Sequence, residues 1–165
     1  MYEFLIVLLS WLLAILAWGP VGLFALKKLK TGFSDRPAHT FVLGTLVGIA
    51  INSAILGIIS FWHPITAYVS IVLALLGGVL FYKTFFEELG RLYLAIKNWS
   101  VLGWIGMLAF ATITILCSLH TSLNNDSGLY YIQFMKWINS YPVIPGLANL
   151  HDRFGFNSTW HLLNA

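Results

Sequence analysis

Charge is what this sequence has least of. Only 9% of its 165 residues are Asp, Glu, Lys or Arg, where a water-soluble domain carries about 25%. So few charges cannot solvate an ordinary globular surface. Cysteine is nearly absent as well: Cys117 stands alone inside an apolar segment. No intrachain disulfide can form, no Cys/His set has zinc spacing, and Cys117 reads as a small hydrophobe. There is no phosphate-cradling glycine loop, no nucleophile elbow and no HExxH pair, so the templates of soluble enzymes do not apply. No internal repeat recurs at a fixed period. A basic n-region is also missing from the start, where Glu3 follows Tyr2, and the apolar run continues to Leu26. That run outlasts a signal-peptide core and reads as a retained membrane span.

What is there instead is hydrocarbon. Hydrophobic residues make up 59% of the chain, and the mean hydropathy is +0.82. The apolar runs approach the ~20 residues that cross a bilayer core of ~30 Å. They predict an all-α, polytopic transmembrane helix bundle of four spans, at about 4–26, 39–61, 65–82 and 101–119. Gly19-Pro20 is expected to kink the first span. In the second, Gly44 and Gly48 have the spacing that lets two helices approach closely, and Asn52 suits an interhelical hydrogen bond. Phe61-Trp62-His63-Pro64 reads as a tight interfacial turn. Residues 83–98 mix Glu87, Glu88, Arg91 and Lys97 with Phe85, Phe86, Leu89, Leu92, Tyr93 and Ile96 at helical spacing. That pattern predicts an amphipathic helix lying at the membrane surface.

The lysines and arginines set the expected orientation. Lys27, Lys28, Lys30 and Arg36 fill the first connection and Lys83, Arg91 and Lys97 the third, while the N-terminal tip and the Trp62 turn have none. The positive-inside rule puts the first and third connections in the cytoplasm, so residues 120–165 form an extracytoplasmic loop. The net charge of +3 therefore lies beside spans and not on an exposed aromatic platform, which argues against a nucleic-acid partner. The expected partner is the lipid bilayer, in a multi-pass protein of a bacterial inner membrane. A new apolar segment begins at Leu162-Leu163. The chain reads as the N-terminal piece of a longer polytopic protein.

Candidate chemistry is concentrated after Leu119. The turn-prone run Asn124-Asn125-Asp126-Ser127-Gly128 would hold Asp126 near the outer interface, where a partly dehydrated carboxyl is a functional candidate. Asp126 or Ser127 could equally cap the helix expected at about 128–140. Tyr130, Phe134, Trp137 and Tyr141 recur along one stripe of that helix. Such a stripe is either a headgroup-level anchor or a platform for stacking a sugar. Pro142 ends the helix and Pro145-Gly146 turns the chain. Farther on, His151, Asp152 and Arg153 are adjacent, so they do not share one helix face. Asp152 with Arg153 can be a solvated pair, while the forked guanidinium of Arg153 suits phosphate.

Asp126 through Tyr131, Gln133, Lys136-Trp137-Ile138, the run from Tyr141 through His151, and Phe156-Asn157-Ser158 resemble a group of uncharacterised bacterial polytopic membrane proteins. These in turn look like distant relatives of the GT-C glycosyltransferases, which take sugars from lipid-linked phosphate donors. The resemblance implies that Asp126 is the loop carboxylate, acting as general base toward an acceptor hydroxyl or positioning the acceptor or a metal. It implies Arg153 and His151 as holders of donor phosphate, Tyr130 as a substrate contact, and a polyprenyl-phosphate-linked sugar as partner. Two departures stand out. Asn124 occupies the position of a second carboxylate, so no metal is expected, and three spans precede the one leading into the loop. A non-catalytic component of polysaccharide export or transport is the alternative.

Overall fold

A computed structural model of the chain describes residues 2–29, 36–119 and 132–143, together with Gly146, Asn149 and Leu162. All regular secondary structure among them is helical: α1 (Tyr2–Lys28), α2 (Pro37–Ile59), α3 (Ala67–Lys97), α4 (Val101–Leu119) and α5 (Ile132–Ser140). Three of these, α1, α2 and α3, are long and apolar enough to cross a membrane; the described apolar stretch of α4 is shorter.

The helix ends follow local chemistry. Lys27 and Lys28 fill the last turn of α1, where cations oppose the negative end of the helix dipole. Pro37 opens α2, a position at which its missing N–H removes no helical bond. At the other end Trp62 and His63 both donate backbone N–H groups to the Ile59 carbonyl at 3.0 Å, and Pro64 cannot continue the helix. Ser100 caps α4 by accepting the Gly103 amide on its Oγ at 3.2 Å.

The chain divides into two compact units, Met1–Gly48 with Gly77–Ser122, and Ile49–Leu76 with Leu123–Ala165. In the first, α1 and α2 touch backbone to backbone. A Cβ built on Gly22 would overlap the Gly44 carbonyl oxygen, and one on Gly48 would overlap the Trp18 carbonyl oxygen. Trp18 against Gly48 and Leu23 against Gly44 make the two helices antiparallel. Val21 meets Gly77, Phe24 stacks on Phe81 with centroids 4.3 Å apart, and Lys27 reaches Glu87. Both numbers rise together, so α1 and this part of α3 are parallel. α4 lies against α1.

In the second unit Leu56, Ile65 and Leu162 form the core, with Ile59, Val69, Leu73 and Ile138 around it. Asn52 is 1% exposed, the placement an interhelical polar contact requires. Ser60 closes its own turn, its Oγ donating to the Gly57 carbonyl at 2.7 Å.

One expectation is corrected. The third span and the surface helix at 83–98 are one continuous helix of 31 residues, Ala67–Lys97. No proline or glycine interrupts Leu80 through Leu89, so nothing breaks the backbone where the apolar run gives way to charges. Pro20, with Gly19 before it, lies inside α1.

Candidate functional site

Asp126, Tyr130, His151 and Arg153 lie outside the described residues, so the geometry available is that of the elements on either side of them. Asp126 stands between Leu119, the last residue of α4, and Ile132, the first of α5. No residue of α5 is buried, yet the helix is tied down. Ile138 offers its carbonyl to the Ile65 N–H at 2.9 Å, and Val143 donates its N–H to the Ser60 carbonyl at 2.8 Å. Both partners lie at the turn between α2 and α3, where helix ends leave backbone groups unpaired. The Ile138 side chain packs on the Leu56–Ile65–Leu162 core. The segment 138–143 is therefore fixed on that turn by two backbone bonds and one apolar contact.

This arrangement refines the aromatic stripe. Phe134 and Trp137 are half-buried, while Tyr141 is exposed. Gln133, Lys136 and Asn139 face outward, giving α5 a polar side opposite its docked one. Ile138, between the stripe positions, supplies the anchoring contact, which aromatic periodicity alone does not reveal. Beside it the turn exposes Phe61 and Trp62, the latter 76% exposed, in an edge-on pair with centroids 6.0 Å apart. Gly146 adopts a left-handed φ of 87°, which glycine reaches without steric cost, and its carbonyl accepts the Asn149 N–H at 2.9 Å. The turn expected at Pro145-Gly146 is thus present at its glycine.

A second polar cluster lies in the other unit, beyond the apolar part of α3. Lys27 Nζ donates to Glu87 Oε2 at 2.6 Å. That hydrogen bond, then the lysine's charge, lowers the Glu87 carboxyl below its ordinary pKa, and Lys83 adds to the attraction. The next residue, Glu88, is buried, and Arg91 Nη1, about a turn along the helix, donates to both of its oxygens at 2.9 and 3.1 Å. The i,i+3 spacing of Glu88 and Arg91 was visible in the sequence; the burial of Glu88 was not. Among the described residues no group of three or more His, Cys, Asp or Glu side chains could hold a metal ion.

The chain belongs to the DUF8201 family, described as a domain of unknown function, whose model matches residues 4–165. No curated protein and no solved structure matches it.

Proposed function

We propose that this member of the DUF8201 family is a multi-pass protein of a bacterial inner membrane that works in the manner of GT-C glycosyltransferases. Its outward loop, residues 120–165, would serve sugar transfer from a polyprenyl-phosphate carrier. The membrane part of this reading is supported by what the helices expose. Leu13, Val79, Leu102 and Phe110 are each more than 60% exposed, which suits lipid and not water. Three hydroxyls bond within their own helix, Ser10 to Ile6, Thr45 to Phe41 and Thr114 to Phe110, which suits a solvent without hydrogen bonds. At ~1.5 Å per residue, α4 is roughly 28 Å long and serves as the fourth span.

The observation that carries the site is the docking of 138–143 on the α2–α3 turn. It supports a loop held at the membrane interface, with Asp126 on the segment leading into it. In this reading the acceptor hydroxyl oxygen attacks the anomeric carbon while the bond from that carbon to the carrier phosphate oxygen breaks. The phosphate leaves with the bonding pair, and Asp126 takes the hydroxyl proton. Arg153 and His151 offset the phosphate charge, and Tyr130 stacks on the sugar ring.

The test is Asp126→Asn in the full chain, assayed in membranes with undecaprenyl-phosphate-linked hexoses. Loss of transfer by about 100-fold or more with unchanged protein abundance supports the enzyme. Loss of abundance, or transfer that never exceeds membranes lacking the protein, supports the non-catalytic export or transport component instead.

A further inference from the structure

We infer that the ends of α1 and the apolar part of α3 form a headgroup site for an anionic phospholipid, in which Lys28 and Lys83 take the lipid phosphate beside the Lys27–Glu87 pair. The inference rests on the membrane placement above and is independent of sugar transfer.

The cluster follows from helix direction. Because α1 and α3 are parallel where they meet, the basic end of α1 falls beside the first charged turns of α3. Phe24 and Phe81 stack there at 4.3 Å, an aromatic layer beside the lysines. Lys28 extends its ammonium over the Phe24 ring, 5.6 Å from the centroid, and Lys83 lies 6.0 Å over Tyr82. A ring face attracts an ammonium without neutralising it. Glu87 is shared: Lys27 bonds it directly and Lys83 acts on it through space. Lys27 and Lys83 thus share one carboxylate, and Lys28 follows Lys27 at the end of α1. Among the described residues neither Lys28 nor Lys83 has a carboxylate within ion-pair distance, and Glu88 is already engaged by Arg91.

Charge complementarity and depth identify the occupant. A surplus of ammonium groups directly above an aromatic layer matches a phosphodiester whose acyl chains run down an apolar helix face. The face is present, since Leu80, Val79 and Leu76 of α3 are all more than half exposed. A soluble phosphate would meet the same lysines but make no use of that face.

The experiment is native mass spectrometry of the full chain released from nanodiscs containing equal phosphatidylglycerol and phosphatidylcholine. Phosphatidylglycerol is expected to stay bound preferentially. Each lysine near a membrane surface contributes about fivefold in binding, so K28Q/K83Q should lose roughly 30-fold of that preference. The control K97Q removes the same single charge as K83Q, elsewhere on α3, and should keep it. K28Q/K83Q leaves the Lys27–Glu87 pair intact, and its circular dichroism melt reports whether it folds. A single K83Q variant, expected to lose about fivefold, decides the question if the double variant does not fold. Equal retention of the two lipids, or an unchanged preference in the lysine variants, overturns the inference. So does full displacement of the lipid by inorganic phosphate, which would mark a site for soluble anions. Asp126→Asn should retain the lipid whatever happens to sugar transfer.

Discussion

Gly22 of α1 and Gly44 of α2 are in backbone contact: a methyl group on Gly22 would occupy the space of the Gly44 carbonyl oxygen and crowd the Gly48 amide. Within a bilayer, lipid tails are as apolar as leucine, so helices gain by packing closely and not by leaving water. The contact is available only because both surfaces lack side chains, and the neighbours that would have to move are backbone atoms.

Gly22→Ala should therefore destabilise the protein, since the helices must separate and lose dispersion contacts along the crossing. Overpacking of this kind costs about 1–3 kcal/mol. Gly106→Ala is the control, because a Cβ there meets nothing within 4 Å; it should be neutral or stabilising by up to about 1 kcal/mol. Reversible thermal melts in one detergent compare the two. Equal melting temperatures would show that the crossing does not limit stability.

The docking of the segment after α5 depends on the Val143 amide. Val143→Pro deletes the donor to the Ser60 carbonyl and should cost about 1 kcal/mol, with faster hydrogen exchange at Ile65 and across Ile132–Ser140. Exchange unchanged from the parent protein would mean that the Ile138 contact alone holds the segment.

Glu87 predicts a pH dependence. Its folded-state pKa is lowered from an ordinary 4.5 by the Lys27 hydrogen bond and charge. A depressed carboxylate contributes stability that is present above its unfolded pKa and is lost as pH falls through the folded value. The melting temperature should thus drop in mild acid, and Glu87→Gln should flatten that part of the curve. Both partners are more than half exposed, so the effect is small and should vanish at 1 M salt. Identical acid profiles for the two proteins would remove the pair from the account.

Topology can be tested with the chain's own economy in cysteine. In a Cys117→Ala background, cysteines replacing Trp62 and Asn98 occupy the connections at the two ends of α3. An impermeant maleimide should label position 62 in intact cells and position 98 only after permeabilisation. Labelling of both from one side would mean that α3 does not cross the membrane.

Much of this arrangement was legible along the chain because its causes are local. That three helices are long and apolar enough to cross a membrane follows from composition, the helix ends from Pro37, Pro64 and Ser100, and the close approach at Gly44 and Gly48 from their spacing. The break expected between 82 and 83 was misplaced because a change from apolar to charged side chains alters the environment of a helix without disturbing its backbone. The candidate site was legible only as residue types. Asp126, Tyr130, His151 and Arg153 are named by chemistry and resemblance, and what can be measured nearby is the anchoring of α5.

The sequence by itself determined that the chain is helical and apolar, and where its charges interrupt the hydrocarbon. Tertiary structure alone decided which glycine of α1 answers Gly44, that Glu88 is buried while Glu87 is not, and that Ile138 and Val143 fasten onto Ile65 and Ser60. Periodicity reports what a residue prefers to face, and that preference is weak where every surface is apolar. Which helix faces which is settled by shape and by the pairing of a few backbone groups, and both depend on residues far apart in the chain.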